Sequence, residues 1–163
     1  MSRAQVARVT TFVRLDPRSA FEVFTAEIDS WWRRGPRYRV GGEGTLRFEG
    51  GAGGRLVEVV PGGGGEFEMG CVLTWEPGAR LAFEWRARNF APGEVTQVEI
   101  RFEPAEGGTS IVLEHRGWEA IAAKHPVRHG LTGSAFTDMI GLWWGELMTS
   151  YRVHAGKHGA GPG

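Results

Sequence analysis

The amino-acid sequence predicts an α+β fold, in which a curved antiparallel sheet of seven strands wraps one long C-terminal helix and two short helices follow the first strand. Three observations lead there. Between Glu66 and Gly117, four segments alternate apolar with charged residues, the pattern of an antiparallel sheet covered on one side only. Glycine- and proline-rich stretches sit between the strand-like segments, where tight turns are needed. From Ser134 to Tyr151 the period changes. Phe136, Ile140, Trp143, Trp144, Leu147 and Tyr151 recur at three- and four-residue steps, which a helix gathers into one stripe. Each large aromatic can bury about 150–250 Å², worth on the order of 4–6 kcal/mol at about 25 cal/mol per Å² before entropy costs. Gly141 and Gly145 oppose this helix by roughly 1 kcal/mol each. The stripe prevails if a surface receives it, and the apolar face of the sheet is that surface.

Residues 5–15 (QVARVTTFVRL) are rich in β-branched residues and form the first strand. Asp16-Pro17 then supplies a helix N-cap and a proline in the first helical position, with Ala20, Phe21 and Phe24 on one face. A second short helix carries Ile28, Trp31 and Trp32 and ends at Gly35-Pro36. TLRFE and RLVEVV are short strands, separated and followed by the turns GGAGG and PGGGG. In EFEMGCVLTW, Phe67, Met69, Cys71, Leu73 and Trp75 point one way. Leu81, Phe83 and Trp85 do so in the next strand, with Glu84, Arg86 and Arg88 opposite. Val98, Ile100 and Phe102, then Ile111, Leu113 and His115, complete the apolar face.

The turns define a register. A three-residue loop at Pro77-Gly78-Ala79 pairs Trp75 with Leu81. A two-residue Gly107-Gly108 turn pairs Phe102 with Leu113 and Ile100 with His115, and sets Arg101 opposite Glu114. A slip of one residue would invert every face. The connector GWEAIAAKHPVRHG holds one helical turn at Glu119 to Lys124, and Ser134 caps the last helix. Residues 1–155 form one domain and 156–163 a glycine-rich, flexible tail.

Composition excludes several function classes. The chain has 163 residues and a formal net charge of zero, so it lacks the basic surplus with which nucleic-acid binders displace counterions. No apolar run approaches the roughly 20 residues of a membrane span, and no apolar signal core opens the chain, so a soluble, cytoplasmic protein is expected. The single Cys71 cannot form an intramolecular disulfide and reads as a small buried hydrophobe. No glycine cluster joins a strand to a helix N-terminus, and no Gly-Lys-Ser/Thr follows, so the glycines are hairpin turns and not a phosphate cradle. His125 and His129 are four apart, as are His154 and His158, a spacing that holds metals on helices. Pro126 and Gly156 interrupt those segments, and no carboxylate or cysteine stands nearby at ligand spacing. No metal and no cofactor are therefore expected. Glu99, Arg101, Glu114 and Arg116 read as cross-strand pairs on a wet face.

Several motifs carry a resemblance across residues 5–152. They are Trp31-Trp32, Gly70-Cys71-Val72-Leu73-Thr74-Trp75-Glu76-Pro77 leading to Arg80-Leu81 and Trp85, and Gly108-Thr109 leading through Leu113-Glu114-His115-Arg116-Gly117-Trp118-Glu119. With the element order, they resemble the helix-grip fold of the START and Bet v 1-like superfamily. Within it they resemble the family named for the activator of the heat-shock protein 90 ATPase. The resemblance implies a cavity between the concave sheet and the C-terminal helix, where relatives hold apolar or aromatic small molecules. Phe48, Met69, Cys71, Leu73, Phe83, Trp85, Val98, Ile100, Phe102 and Leu113 would line its sheet side. Phe136, Ile140, Trp143, Trp144 and Leu147 would line the helix side, with Trp31 and Trp32 at the mouth and His115 and Trp118 beside it.

Three functions compete on this evidence. The first is a binding protein for a small hydrophobic or aromatic ligand, favoured by the two-sided apolar lining and the lack of a nucleophile. The second, implied by the resemblance alone, is a regulator of a chaperone ATPase, although this length leaves no room for the additional client-clamping domain of such activators. The third is a cyclase- or aromatase-type enzyme in which His115 and an inward-facing Glu58 exchange protons. His115 reads either as such a group or as a core histidine hydrogen-bonded at a strand end. Monomer and homodimer are both compatible with the sequence.

Overall fold

The computed structural model describes residues 5–39, 43–87 and 89–159. The chain runs β1 (Ala7–Val13), α1 (Pro17–Ala26), α2 (Ile28–Trp31), β2 (Thr45–Phe48), β3 (Arg55–Val59), β4 (Glu66–Glu76) and β5 (Arg80–Trp85). It continues with β6 (Thr96–Ala105), β7 (Gly108–Arg116), 3₁₀ turns at Trp118–Ala120 and Pro126–Arg128, and α3 (Gly133–Gly159). The strands pair antiparallel in the order β1-β7-β6-β5-β4-β3-β2. Strands β2 to β7 are successive hairpins, and β1 closes the far edge against β7. The sheet curves around α3 as a half-barrel, which is the helix-grip arrangement. Among the described residues, no helix is long and apolar enough to cross a membrane.

Local chemistry explains the helices. The Asp16 carboxylate accepts the Ser19 amide at 3.2 Å and the Ser19 hydroxyl at 2.6 Å, with Pro17 at the first helical position. On α3, Phe136, Trp144, Leu147 and Tyr151 are fully buried, against Phe83, Val98, Ile100, Phe102 and Leu113 of the sheet. Phe24 ties the short helices into this core, its ring 4.8 Å from Trp31 and 5.1 Å from Tyr151. The Tyr151 hydroxyl donates to Ala20 O at 2.7 Å. Gly141 and Gly145 lie on the other side of α3, where an added Cβ would meet nothing within 4 Å.

The turn after β4 pairs Trp75 with Leu81, as its composition predicts. The β6–β7 turn differs. Its two residues are Glu106 and Gly107, so Ile100 faces Leu113, Phe102 faces Ile111, and His115 faces Val98. Gly107 takes the positive φ of +82°, whereas Gly108 is a ladder residue whose Cβ would strike Val13 O at 2.1 Å. The offset is two residues, and because the pleat repeats every two, each side chain keeps its face. Arg101 still reaches Glu114, at 3.0 Å, although its ladder partner is Val112, two residues away.

Strand β4 departs further. A register shift between Val72 and Thr74 gives Val72 the inner place opposite Phe83 and leaves Leu73 49 % exposed. Cys71, paired with Arg55, is half-buried and outside the hydrophobic core. Neither shares the inner face with Met69, because two register shifts, one beside Met69 against β3 and one at Leu73 against β5, each reverse the alternation that the sequence pattern assumes. Arg88 falls outside the described residues. The connector forms two 3₁₀ turns instead of one turn at Glu119 to Lys124. Helix α3 starts at Gly133, with Ser134 inside it, and continues to Gly159, so residues 156–159 are helical and not a frayed tail.

Two substitutions test this packing. A Cβ at Gly70 would lie 1.5 Å from Glu84 O, so Gly70→Ala must push β4 off β5 and should destabilise by about 3 kcal/mol or more in urea denaturation. Gly145→Ala places a methyl in open space on a helix and should stabilise by about 0.5–1 kcal/mol in the same assay.

Candidate functional site

A cavity of about 940 Å³ opens beside the N-terminal half of α3. Met139, Ile140 and Trp143 of α3 form one wall. Glu58 of β3, Phe67 and Met69 of β4, Trp85 at the end of β5 and His115 of β7 form the other. Pro36 to Arg39, the stretch Arg86, Ala87 and Asn89, and Val127 and His129 of the connector complete the rim. The other half of the sheet–helix interface is solid, filled by Phe21, Phe24, Trp31, Phe102 and Tyr151.

The rim is held by two buried arginines. Arg39 donates to the Asp29 carboxylate and to the carbonyls of Asp29, Trp32, Arg33 and Gly44, so it pins the segment after α2. Burial pushes the Asp29 carboxyl upward, but the Leu46 amide at 3.0 Å and the Arg39 guanidinium outweigh that and hold it below the ordinary carboxylate value. Arg128 donates to the carbonyls of Ala122, Trp118 and Ile121 and to Gln5 Oε1, and lies 4.6 Å over the Phe136 ring. At the mouth, Trp143 stacks on Tyr38 with centroids 5.7 Å apart, and its Nε1 donates to Arg37 O at 3.0 Å.

His115 is almost completely buried, and its hydrogen bonds define its tautomer. Trp144 Nε1 can only donate, and it reaches His115 Nδ1 at 2.9 Å, so Nδ1 carries no proton. The Thr96 hydroxyl donates to Trp85 O at 3.0 Å and therefore accepts from His115 Nε2 at 2.7 Å. The ring is neutral and both nitrogens are engaged. Burial lowers its pKa to about 3, which removes it from acid–base work near neutral pH. Glu58 does face inward, buried, with its carboxylate against Gly44.

Among the described residues, three buried donors have no hydrogen-bond partner: Trp85 Nε1, Arg86 Nε and Trp118 Nε1. The first two belong to cavity-lining residues. A buried donor left without any acceptor costs about 1–3 kcal/mol, and such groups in folded proteins are met by protein, water or ligand atoms.

The structure divides the residues singled out from the sequence. Met69, Trp85, His115, Ile140 and Trp143 line the cavity. Trp31, Trp32, Phe83, Ile100, Phe102, Leu113, Trp118, Phe136, Trp144 and Leu147 belong to the packed core, with Phe48 at its margin. Trp31 and Trp32 are not at the mouth. They are buried, with their indole N–H groups donating to Phe24 O and Tyr38 O, each at 3.0 Å. Cys71 and Leu73 lie away from both. Sequence periodicity passed over Tyr38, Arg86, His129 and Met139. The first three come from irregular segments without a period, and Met139 sits at the margin of the helical stripe. Arg86, placed on the wet face by alternation, borders the cavity just past the end of β5, while its guanidinium lies 3.9 Å from the Glu68 carboxylate. His125 serves the connector, with Nδ1 accepting the Val127 amide at 3.0 Å and Nε2 lying 3.2 Å from Glu94.

The His115 network makes a prediction about pH. The folded-state pKa lies below the unfolded value near 6.5, so this stabilisation is complete above about pH 6.5 and is lost as pH falls toward 3. The slope from this group approaches about 1.4 kcal/mol per pH unit. Denaturation of the His115→Gln variant should lack that increment between about pH 6 and pH 4; an unchanged slope would show that the ring is not held neutral.

Comparison with solved structures places the fold among several bacterial proteins. Protein NE0264 from Nitrosomonas europaea superposes with a TM-score of 0.63 at 16% identity, covering 96% of this chain and 97% of the other. ChR145 from Cytophaga hutchinsonii gives 0.68 at 13% identity, over 97% and 98%. The Aha1 dimer from Colwellia psychrerythraea gives 0.59 at 14% identity, over 90% and 92%. Among curated proteins, none gives a significant sequence match. Residues 14–139 match the family described as activator of Hsp90 ATPase homolog 1-like protein, a span that includes most of the sheet, both short helices and the first turns of α3. The chain belongs to the activator of Hsp90 ATPase homolog 1-like family.

Proposed function

We propose that this protein is a cytoplasmic carrier or sensor of a small hydrophobic or aromatic molecule that bears a hydrogen-bond acceptor and sits between the sheet and α3. The observation that carries the reading is Trp85 Nε1, a buried donor without a partner among the described residues, on the wall of a cavity of about 940 Å³. That volume suits a drug-sized molecule, and the combination of apolar wall and few polar groups is typical of ligand sites. Met69, Phe67, Ile140, Met139 and Trp143 supply apolar contact. Methionines adapt to varied shapes, which suits a site that takes more than one ligand. Trp85 Nε1 supplies orientation.

A second reading, regulation of a chaperone ATPase, draws on the family description and on the likeness to the Colwellia Aha1 dimer. Stimulation of a purified heat-shock protein 90 ATPase by stoichiometric protein would favour it, and absence of stimulation at excess would remove it. The enzyme reading loses one of its two proton carriers, since His115 is neutral with both nitrogens engaged, and keeps only Glu58.

The ligand reading is tested with a matched pair of probes, 1-acetonaphthone and 1-ethylnaphthalene, which share shape and differ in one carbonyl. Calorimetry should show the ketone binding about tenfold more tightly, as one hydrogen bond to a buried donor warrants. Trp85→Phe should erase that preference, and Ile140→Trp, which fills the cavity, should abolish both. Failure of either probe to bind, together with no co-purifying small molecule in native mass spectrometry, would sink the proposal.

A further inference from the structure

Far from the cavity, three side chains converge that the sequence keeps apart. Glu27 is the C-cap residue of α1, at the corner with α2. His154 and His158 stand one turn apart on the last part of α3, so both project from the same face. Each Nε2 lies 2.8 Å from Glu27 Oε1, and the ligand atoms of all three residues are within 4.8 Å of one another. Sequence spacing predicts that Gly156 breaks this segment and that no carboxylate stands near; the helix instead continues, and the fold brings Glu27 from 127 residues away.

We propose that Glu27, His154 and His158 form a binding site for a divalent transition-metal ion, of which Zn²⁺ is the reference case. Two imidazole nitrogens and one carboxylate oxygen are a donor set that suits Zn²⁺, Ni²⁺ and Cu²⁺ better than Ca²⁺ or Mg²⁺, which prefer all-oxygen shells. With metal–ligand bonds of about 2.0–2.2 Å, tetrahedral ligand atoms stand about 3.4 Å apart. The present spacing of 2.8 Å, set by direct hydrogen bonds, therefore needs only a small outward rotation of side chains. Their exposure permits it: His158 is 42 % exposed, Glu27 35 % and His154 18 %. The ligands approach from one side, which leaves the solvent side for water or a further ligand.

Such an ion would link the α1–α2 corner to the C-terminal end of α3. His154 lies 11 residues beyond Trp143, about 16 Å along the helix, so the site is separate from the cavity. Binding would brace α3, the helix that forms one wall of the cavity, without contributing an atom to that wall.

The test uses the full chain without an affinity tag. Calorimetry with Zn²⁺ and absorption spectroscopy with Co²⁺ should give one ion per chain, and Zn²⁺ should raise the melting temperature. His158→Ala and Glu27→Gln should each weaken Zn²⁺ binding by about tenfold or more, and the His154→Ala/His158→Ala variant should abolish the Co²⁺ visible bands. The melting temperature without metal reports folding separately, and His158→Ala should leave it nearly unchanged because the residue is on the surface. His129→Ala serves as a control that keeps full affinity. Zn²⁺ affinity in His158→Ala and Glu27→Gln equal to that of the unsubstituted chain, or no Zn²⁺ binding by that chain, would overturn the assignment.

Discussion

The architecture depends on the burial of one helical stripe against one face of a curved sheet. Phe136, Trp144, Leu147 and Tyr151 have no accessible surface, and neither do Phe83, Val98, Ile100 and Leu113 opposite them. Aromatic burial on this scale outweighs the helix-breaking tendency of Gly141 and Gly145, which remain tolerable because they lie on the open side of α3. The same contact defines where a cavity can exist. At the C-terminal half of the interface α1 and α2 fill the space with Phe21, Phe24 and Trp31; at the other half only loops close it.

Those loops bring polar atoms into an apolar interior, and each is satisfied in a way that shapes the site. Arg39 and Arg128 are buried with their guanidinium groups on backbone carbonyls, where a planar fork of five donors can bind several acceptors at once. The relay from Trp144 through His115 and Thr96 to the Trp85 carbonyl joins α3 to three strands. It fixes the Trp85 backbone while leaving its indole N–H without a partner among the described residues. A donor carried on a backbone held in this way is fixed in direction before any acceptor arrives, which is what the proposed binding role uses.

Much of the fold was legible because it rests on local periodicity. The N-cap at Asp16, the loop at Pro77 to Ala79 and the stripe on α3 depend on neighbours in sequence, and all three form as their residues predict. Cys71 and Leu73 were misread because β4 carries an extra residue at Met69 and another at Leu73, and a bulge has no signature in an alternating pattern. The β6–β7 register was read two residues off because both glycines of Gly107-Gly108 suit a turn, and only packing against Val13 shows which of them the ladder needs. The site was less legible than the fold. Apolar residues at equal periodicity divide into core and cavity wall according to whether α1 and α2 fill the space against them, a property of the whole assembly.

The sequence by itself determined the fold class, the order of the elements, the apolar face of each regular strand and the family, because side-chain alternation and turn chemistry act over a few residues. Tertiary structure alone decided which aromatics fill the core and which face a cavity. It also decided that His115 is neutral and that Glu27 meets His154 and His158. Each of these depends on groups brought together across long stretches of chain, where burial, hydrogen-bond geometry and distance are properties of the packed molecule.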